Sequence, residues 1–309
     1  MTMLSNAFNT FGATGIREDL ADFIENISPT DTPCYNAMGS TKASSTKHEW
    51  QTDKLAAAAA NARLEGDIFT NLVAAVTPTD RLFNYTQIFT KAFTITTTMD
   101  AVNTAGRAKE SSYQMAKAMK TLKNDYEWCL FDNAATATGG AGTTTGGRRM
   151  ETLARWVTSF TAVTGASGFG ESGTSTCTVI TEAAFNGILQ NIWNEGGKPN
   201  AVYVGGTLKR LLSGWGTSSS RVWDGSKKIT NSVDVYESDF GVLSLKLERY
   251  SNSAIGYILD ESLWKKAILT PTKLKPLGSR GLGDDFLIYS EWTVEARNVS
   301  GNGCFGSAP

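Results

Sequence analysis

Residues that hold metals are scarce in this chain. Its 309 residues include four cysteines and one histidine. Cys34, Cys129, Cys177 and Cys304 form no CxxC pair, and the lone histidine is His48. A zinc site therefore lacks ligands at usable spacing, and the thiols read as free and mostly buried in a reducing compartment. Long apolar runs are also missing. None approaches 18 residues, so no helix is expected to span a membrane. The start, MTMLSNAFNTFGATG, lacks a basic stretch followed by an apolar core. It does not read as a secretory signal, and the chain is expected to stay in the cytosol of the cell that makes it. Neither sign of charge is in excess: the net charge is −1. That argues against broad, sequence-independent contact with nucleic acid, which needs a basic stripe. No internal repeat of 20–50 residues is visible.

The motifs of common enzymes are missing too. There is no GxxxxGK[ST] and no GxSxG. Gly301, Gly303 and Gly306 match GxGxxG, but only Ser307, Ala308 and Pro309 follow, so no helix can open onto a pyrophosphate. This segment reads as a flexible terminus. GSRGLGDD (278–285) reads as a polar turn before a strand. The adjacent acids Glu18 and Asp19, and Asp284 and Asp285, come with no visible cleft. His48 alternates with Trp50 and Thr52 on one strand face, which suits packing or an interface. No catalytic residue, cofactor or metal is expected.

What is present is an architecture of projections. Residues 1–15 read as an extended arm with Phe8 and Phe11 as anchors. Arg17–Asn26 reads as a short helix ending at the rigid turn SPTDTP. KHEWQT (47–52) and FNYTQIFTKAFTITTT (83–98) read as strands. About 30 residues separate them, a loop length that marks an interaction element. From Asn103 to Ala134 comes a helical pattern without proline. Met115, Met119, Leu122, Tyr126, Cys129 and Leu130 make its apolar stripe, with Asn103 or Thr104 as cap. Lys117, Lys120, Lys123, Asp125 and Glu127 are expected on the wet face. At ~1.5 Å per residue such a helix is roughly 45 Å long.

Thirty glycines against seven prolines mark loops at 136–147, 164–176 and 213–220. Thr152–Val163 is ambiguous between strand and helix. Thr181 caps a helix to Asn194 that ends at Glu195-Gly196-Gly197. A buried strand at Ala201–Val204 and a helix at Thr207–Trp215 follow. Strands are expected at Val233–Glu237, Leu243–Tyr250, Ile255–Leu259, Lys266–Leu269 and Phe286–Asn298, the last being the longest of this group. The order is α+β and not a βαβ series.

NAFNTF (6–11), REDL (17–20), SPTDTP (28–33), HEWQTDKLAAAAANA (48–62), NYTQIFTKAF (84–93) and EWTVEARN (291–298) resemble the major capsid proteins of tailed bacteriophages with the Hong Kong 97-type fold. The likeness is dense over about 5–135 and thinner afterwards. It implies an N-terminal arm (1–45), an extended loop (46–92), and a peripheral domain (93–178 and 263–309) whose spine helix covers about 104–134. It also implies an axial domain (179–262). The implied function is structural: hexamers and pentamers close an icosahedral head around double-stranded DNA.

Implied partners are other copies of the chain, portal and decoration proteins, and packaged DNA with few specific contacts. The arm is short, so a separate scaffolding protein, or none, is implied. The implied location is the virion capsid, assembled in the bacterial host cytoplasm. Phe8, Phe11, Trp50, Phe69, Leu72, Arg148 and Arg149 are the expected inter-subunit contacts. The alternatives are a non-viral nanocompartment of the same fold and a monomeric hydrolase.

Overall fold

The structure is a computed structural model. It describes residues 14, 22–56, 58, 60, 62, 65–66, 78–132, 139–143, 146–160, 181–215, 234–251 and 255–306. The organising helix is α3 (Glu110–Phe131, 22 residues). It is shorter than the expected span of 104–134. A separate helix, α2 (Thr97–Ala101), precedes it. Between them Thr104 and Arg107 close a turn in which Gly106 takes φ +76°, which breaks the helical path. Neither Asn103 nor Thr104 caps α3. Its N-cap position is Lys109, and the Ser111 amide donates instead to Asp100 of α2, 3.1 Å away. The result is a rod of about 33 Å.

The apolar stripe of α3 is buried as its spacing requires. Leu122, Tyr126, Cys129 and Leu130 are in the core, while Met119 is partly exposed. The stripe lies on a four-stranded sheet of order β1-β9-β10-β4. Its strands are β1 (Gly39–Lys42), β4 (Gln87–Thr96), β9 (Trp264–Arg280) and β10 (Gly283–Ala296). The Tyr126 hydroxyl meets Ser290 Oγ at 2.5 Å, and its ring packs against Phe89 and Trp292. Glu127, expected on the wet face, is fully buried. The C-terminal end of α3 is covered from a second side by α1 (Pro33–Ala37). Glu127 accepts the backbone N–H groups of Cys34 and Tyr35, both at 2.7 Å.

Strand β9 runs 17 residues, far beyond the expected Lys266–Leu269, and not β10 but β9 is the longest strand. The added length contains Pro271 and Pro276. Both are tolerated because β1 pairs only with Lys265–Ile268, which leaves the rest of β9 as an edge. Register shifts on β10 at Asp285/Phe286 and Tyr289/Glu291 absorb the irregularity. The prolines, with Lys273 and Lys275, also discourage stray pairing on that edge. Arg280 pairs with Gly283, so Gly281 (φ +67°) opens a two-residue hairpin loop. GSRGLGDD is thus a polar turn, as expected, but one that joins two long strands.

A second sheet has the order β11-β8-β5-β7-β6. It comprises β5 (Ala201–Val204), β6 (Val235–Ser238), β7 (Gly241–Leu247), β8 (Ile255–Leu259) and β11 (Gly303–Gly306). Both faces are covered. Val202, Val204, Leu243, Ile258 and Phe305 face one core with Phe185 and Leu189 of α5 (Glu182–Asn194) and Leu208 of α6 (Gly206–Trp215). Ala201, Tyr203, Tyr257, Leu259 and Cys304 face the core beneath α3 and α4 (Leu153–Phe160). Thr181 caps α5 through the Ala184 amide, and Gly196 (φ +79°) follows its end, as the sequence predicts. The stretch 152–163 resolves as helix over its described part.

Two expectations fail here. GNGCFG is not a flexible terminus: β11 pairs antiparallel with β8 and is buried. The pattern was read as a failed phosphate loop, although Cys304 and Phe305 are apolar residues that a sheet can bury. Residues 22–26, the described part of the proposed 17–26 helix, are not helical, and Phe23 and Ile27 are largely exposed. Pro29 and Pro33 hold the following segment extended.

The β8–β11 contact has no slack. A Cβ on Gly256 would sit 2.3 Å from the Phe305 ring. Gly256→Ala is expected to cost about 3 kcal/mol, the upper end of the overpacking range, read as a lower urea midpoint. An unchanged midpoint would mean that the strand shifts freely.

Candidate functional site at the root of the long loop

The two strands that bound the long loop form their own ribbon. β2 (Lys47–Thr52) pairs antiparallel with β3 (Asp80–Tyr85), in register from Lys47↔Tyr85 to Thr52↔Asp80. The expected strand over 83–98 is therefore two strands, β3 and β4, separated at Thr86. The ribbon is fastened to β10 by side chains that the two-residue period puts on its inner face. His48 Nε2 lies 3.0 Å from Glu295 Oε2, and Arg297 Nε donates to the other Glu295 oxygen at 2.9 Å. Trp50 Nε1 donates to the Ala296 carbonyl at 2.8 Å, and the indole packs against Trp156. Asn84 is buried at the centre. Its amide nitrogen donates to the carbonyls of Glu151 and Val294, and its oxygen accepts the Glu151 N–H.

A second clasp lies four residues earlier on β10. Thr86 Oγ1 donates to Glu291 at 2.7 Å, and Arg148 pairs with the same carboxylate while its Nε donates to the Thr86 carbonyl. Gly140 and Arg149 exchange both backbone hydrogen bonds, which closes the loop that carries the arginines. Glu291, Thr293 and Glu295 share one face of β10 by strand alternation, so the acids of EWTVEARN were the signal for both clasps. One partner, Arg297, lies two residues from Glu295, and the others, His48, Thr86 and Arg148, lie more than 100 residues away.

Burial pushes the Glu295 carboxyl up, but the Arg297 and His48 hydrogen bonds outweigh it and hold it below its usual range. A depressed carboxyl contributes stability that is complete above its unfolded value and is lost as pH falls through the folded one. Acid titration below about pH 4.5 is thus expected to loosen the root. Glu295→Gln should flatten that limb of the Tm-versus-pH curve. Equal acid limbs would count against the clasp.

Of the seven expected contact residues, three are described. Trp50 is half-buried against its own chain, Arg148 is spent on Glu291, and Arg149 is exposed beside it. The structure thus brings Trp50 and Arg148 to the same strand, β10. Phe8, Phe11, Phe69 and Leu72 lie outside the described residues. Among the described residues no group of three or more His, Cys, Asp or Glu is placed to hold a metal. A cavity of about 10 Å³ beside Cys34, Tyr203 and Trp264 has room for roughly one water. The arrangement ties the two ends of the long 53–79 segment firmly to β10.

Comparison with known proteins gives this root a context. The profile of the SU10 major capsid protein family matches residues 3–308. The major capsid protein of Escherichia phage Phieco32 is 32% identical over 129 residues, 41% of this chain and 36% of that protein, so the match spans about a third of the relative's length. Among solved structures, the capsid asymmetric unit of Cyanophage A-1(L) superposes with a TM-score of 0.68 at 12% identity, covering 94% of this chain and 97% of that one. The capsid of Cyanophage P-SCSP1u gives 0.62 at 10% identity, with 98% and 99% covered. These likenesses establish the Hong Kong 97-type α+β fold expected from the sequence. The chain belongs to the SU10 major capsid protein family.

Proposed function

We propose that this protein is the major shell subunit of a tailed phage's head, assembling as hexamers and pentamers into an icosahedral capsid around double-stranded DNA. The observation that carries the reading is the family match across residues 3–308. The root geometry supports it: a ribbon clasped to β10 gives the segment between Thr52 and Asp80 a stiff base from which to reach a neighbour. Each such contact can be weak, because many repeated contacts stabilise a closed shell. The role is mechanical, not catalytic.

In this reading residues 1–45 are the arm and 46–92 the extended loop. The first sheet with α3 is the peripheral domain, and 179–262 with its sheet is the axial domain. β11 adds the chain's last described strand to that axial sheet. Phe8, Phe11, Phe69 and Leu72 are the proposed anchors on neighbouring subunits, and Arg149 a contact beside the loop. Portal, decoration and scaffolding proteins are the proposed partners. The virion, assembled in the host cytoplasm, is the proposed location. The relative from Escherichia phage Phieco32 favours a phage head over a cargo compartment. Gel filtration and electron microscopy of the purified protein test this. Capsomers or closed particles are expected, and a single 33 kDa species under all conditions would overturn it.

A further inference from the structure

Two buried carboxyl groups meet where α1, α3 and the end of β7 converge. Glu127 of α3 is fully buried, and Glu248, just after β7, is 2% exposed. Glu127 uses both oxygens to accept the Cys34 and Tyr35 amides, so it holds its end as an acceptor. Glu248 Oε1 accepts the Tyr250 amide at 3.0 Å, while its Oε2 is buried without a donor among the described residues. The segment that bonds Glu127 through Cys34 also meets Arg249, the residue after Glu248, through Asp31 at 3.4 Å, which makes the two carboxyls neighbours, and hydrogen bonding to Glu127 is among the influences on Glu248. Two carboxylates in that position would repel, and neither can reach water. A proton on Glu248 resolves the geometry.

We propose that Glu248 is a neutral carboxylic acid donating its proton to Glu127, and that this hydrogen bond is a pH-sensitive latch joining the arm and spine helix to the second sheet. The latch joins elements distant in sequence: α1, α3 and the β7 end. Burial first, then the hydrogen bond and the charge of Glu127, hold the Glu248 carboxyl at about 9.

The surrounding charges do not relieve the pair. From α1, Cys34 and Tyr35 face it, and burial pushes the Cys34 thiol well up, so it is neutral. From β9, Lys266 is spent on the Tyr35 carbonyl at 2.7 Å, and burial lowers its affinity for a proton. From β5, Tyr203 bonds Glu261, which also pairs with Lys246 of β7. After β7, Arg249 lies 3.4 Å from exposed Asp31, and burial keeps the Tyr250 phenol neutral. On α3, Asp125 pairs with Lys91 and Lys123 is exposed. No described cation bonds Glu248.

A raised carboxyl contributes stability that is complete below its unfolded value and is lost as pH rises through the folded one. The joint therefore weakens toward alkaline pH. The experiment is thermal unfolding of the full chain at pH 6–10, with Glu248→Gln beside the wild type. Infrared spectra of the wild type over the same range follow the protonated carboxyl band. The wild-type Tm is expected to fall by several degrees toward pH 9 while E248Q holds its value. The band present at neutral pH should vanish with a midpoint near 9. Parallel Tm profiles, or a wild type without a protonated carboxyl at pH 7, would overturn the latch. Should E248Q not fold, the infrared titration decides alone by the same criterion.

Discussion

Deleting residues 55–80 is expected to abolish shell formation while leaving a folded, soluble subunit. The deletion joins Lys54 to Arg81. Register pairs from Lys47↔Tyr85 to Gln51↔Arg81 survive, and Thr52-Asp53-Lys54 closes the ribbon as a short hairpin loop. Every clasp described at the root also survives, because His48, Trp50 and Asn84 all lie inside the retained strands. No described core residue lies in the deleted stretch, so urea unfolding should stay within about 1 kcal/mol of the wild type. What disappears is the proposed reach to a neighbour, and the loss of assembly should be complete. Electron microscopy and sedimentation read the outcome. Normal shells from the deleted protein would remove the loop from the assembly mechanism.

The second large effect concerns the subunit itself. Tyr126 sits where α3 meets the first sheet. Its ring centroid is 5.0 Å from those of Tyr35 and Phe89 and 5.5 Å from that of Trp292. Tyr126→Ala removes this hub and leaves the buried Ser290 without its partner, at an expected cost of about 3–5 kcal/mol. Tyr126→Phe keeps the ring and loses only the hydroxyl, for roughly 1 kcal/mol. Urea midpoints of the two variants separate packing from hydrogen bonding. Similar losses in both would show that the hydroxyl network, not the aromatic cluster, holds the helix down.

How much of this was legible in the sequence follows from the range of the forces involved. The α3 stripe, the Thr181 cap, the Gly196 stop and strand β2 are local patterns, and the chain shows them within a few residues. The break before α3 was missed because it depends on Asp100 of one helix accepting from Ser111 of the next. The length of β9 was missed because proline breaks a central strand but not an edge, and edge status is a property of the sheet. Glu127 was misplaced for the same reason. Helical spacing says which residues share a face, but not that a second element will bury the adjacent one. The resemblance supplied the fold where spacing could not. It left the clasps on Glu291 and Glu295 unread, since His48, Thr86 and Arg148 lie more than 100 residues away in the chain.

The order of strands in the first sheet has a consequence for synthesis. Gly39 to Lys42 pair with Lys265 to Ile268, and β4 pairs with β10 from Gly283↔Thr96 to Trp292↔Gln87. β1 gains its neighbour only after residue 268 is made and β4 only after residue 292, and β11 closes the second sheet later still. Loops of such length close slowly. A nascent or truncated chain thus lacks the platform on which α3 and the loop root depend. The topology acts as a length check: a chain cut short before β10 has no completed first sheet for α3 and the loop root to pack on.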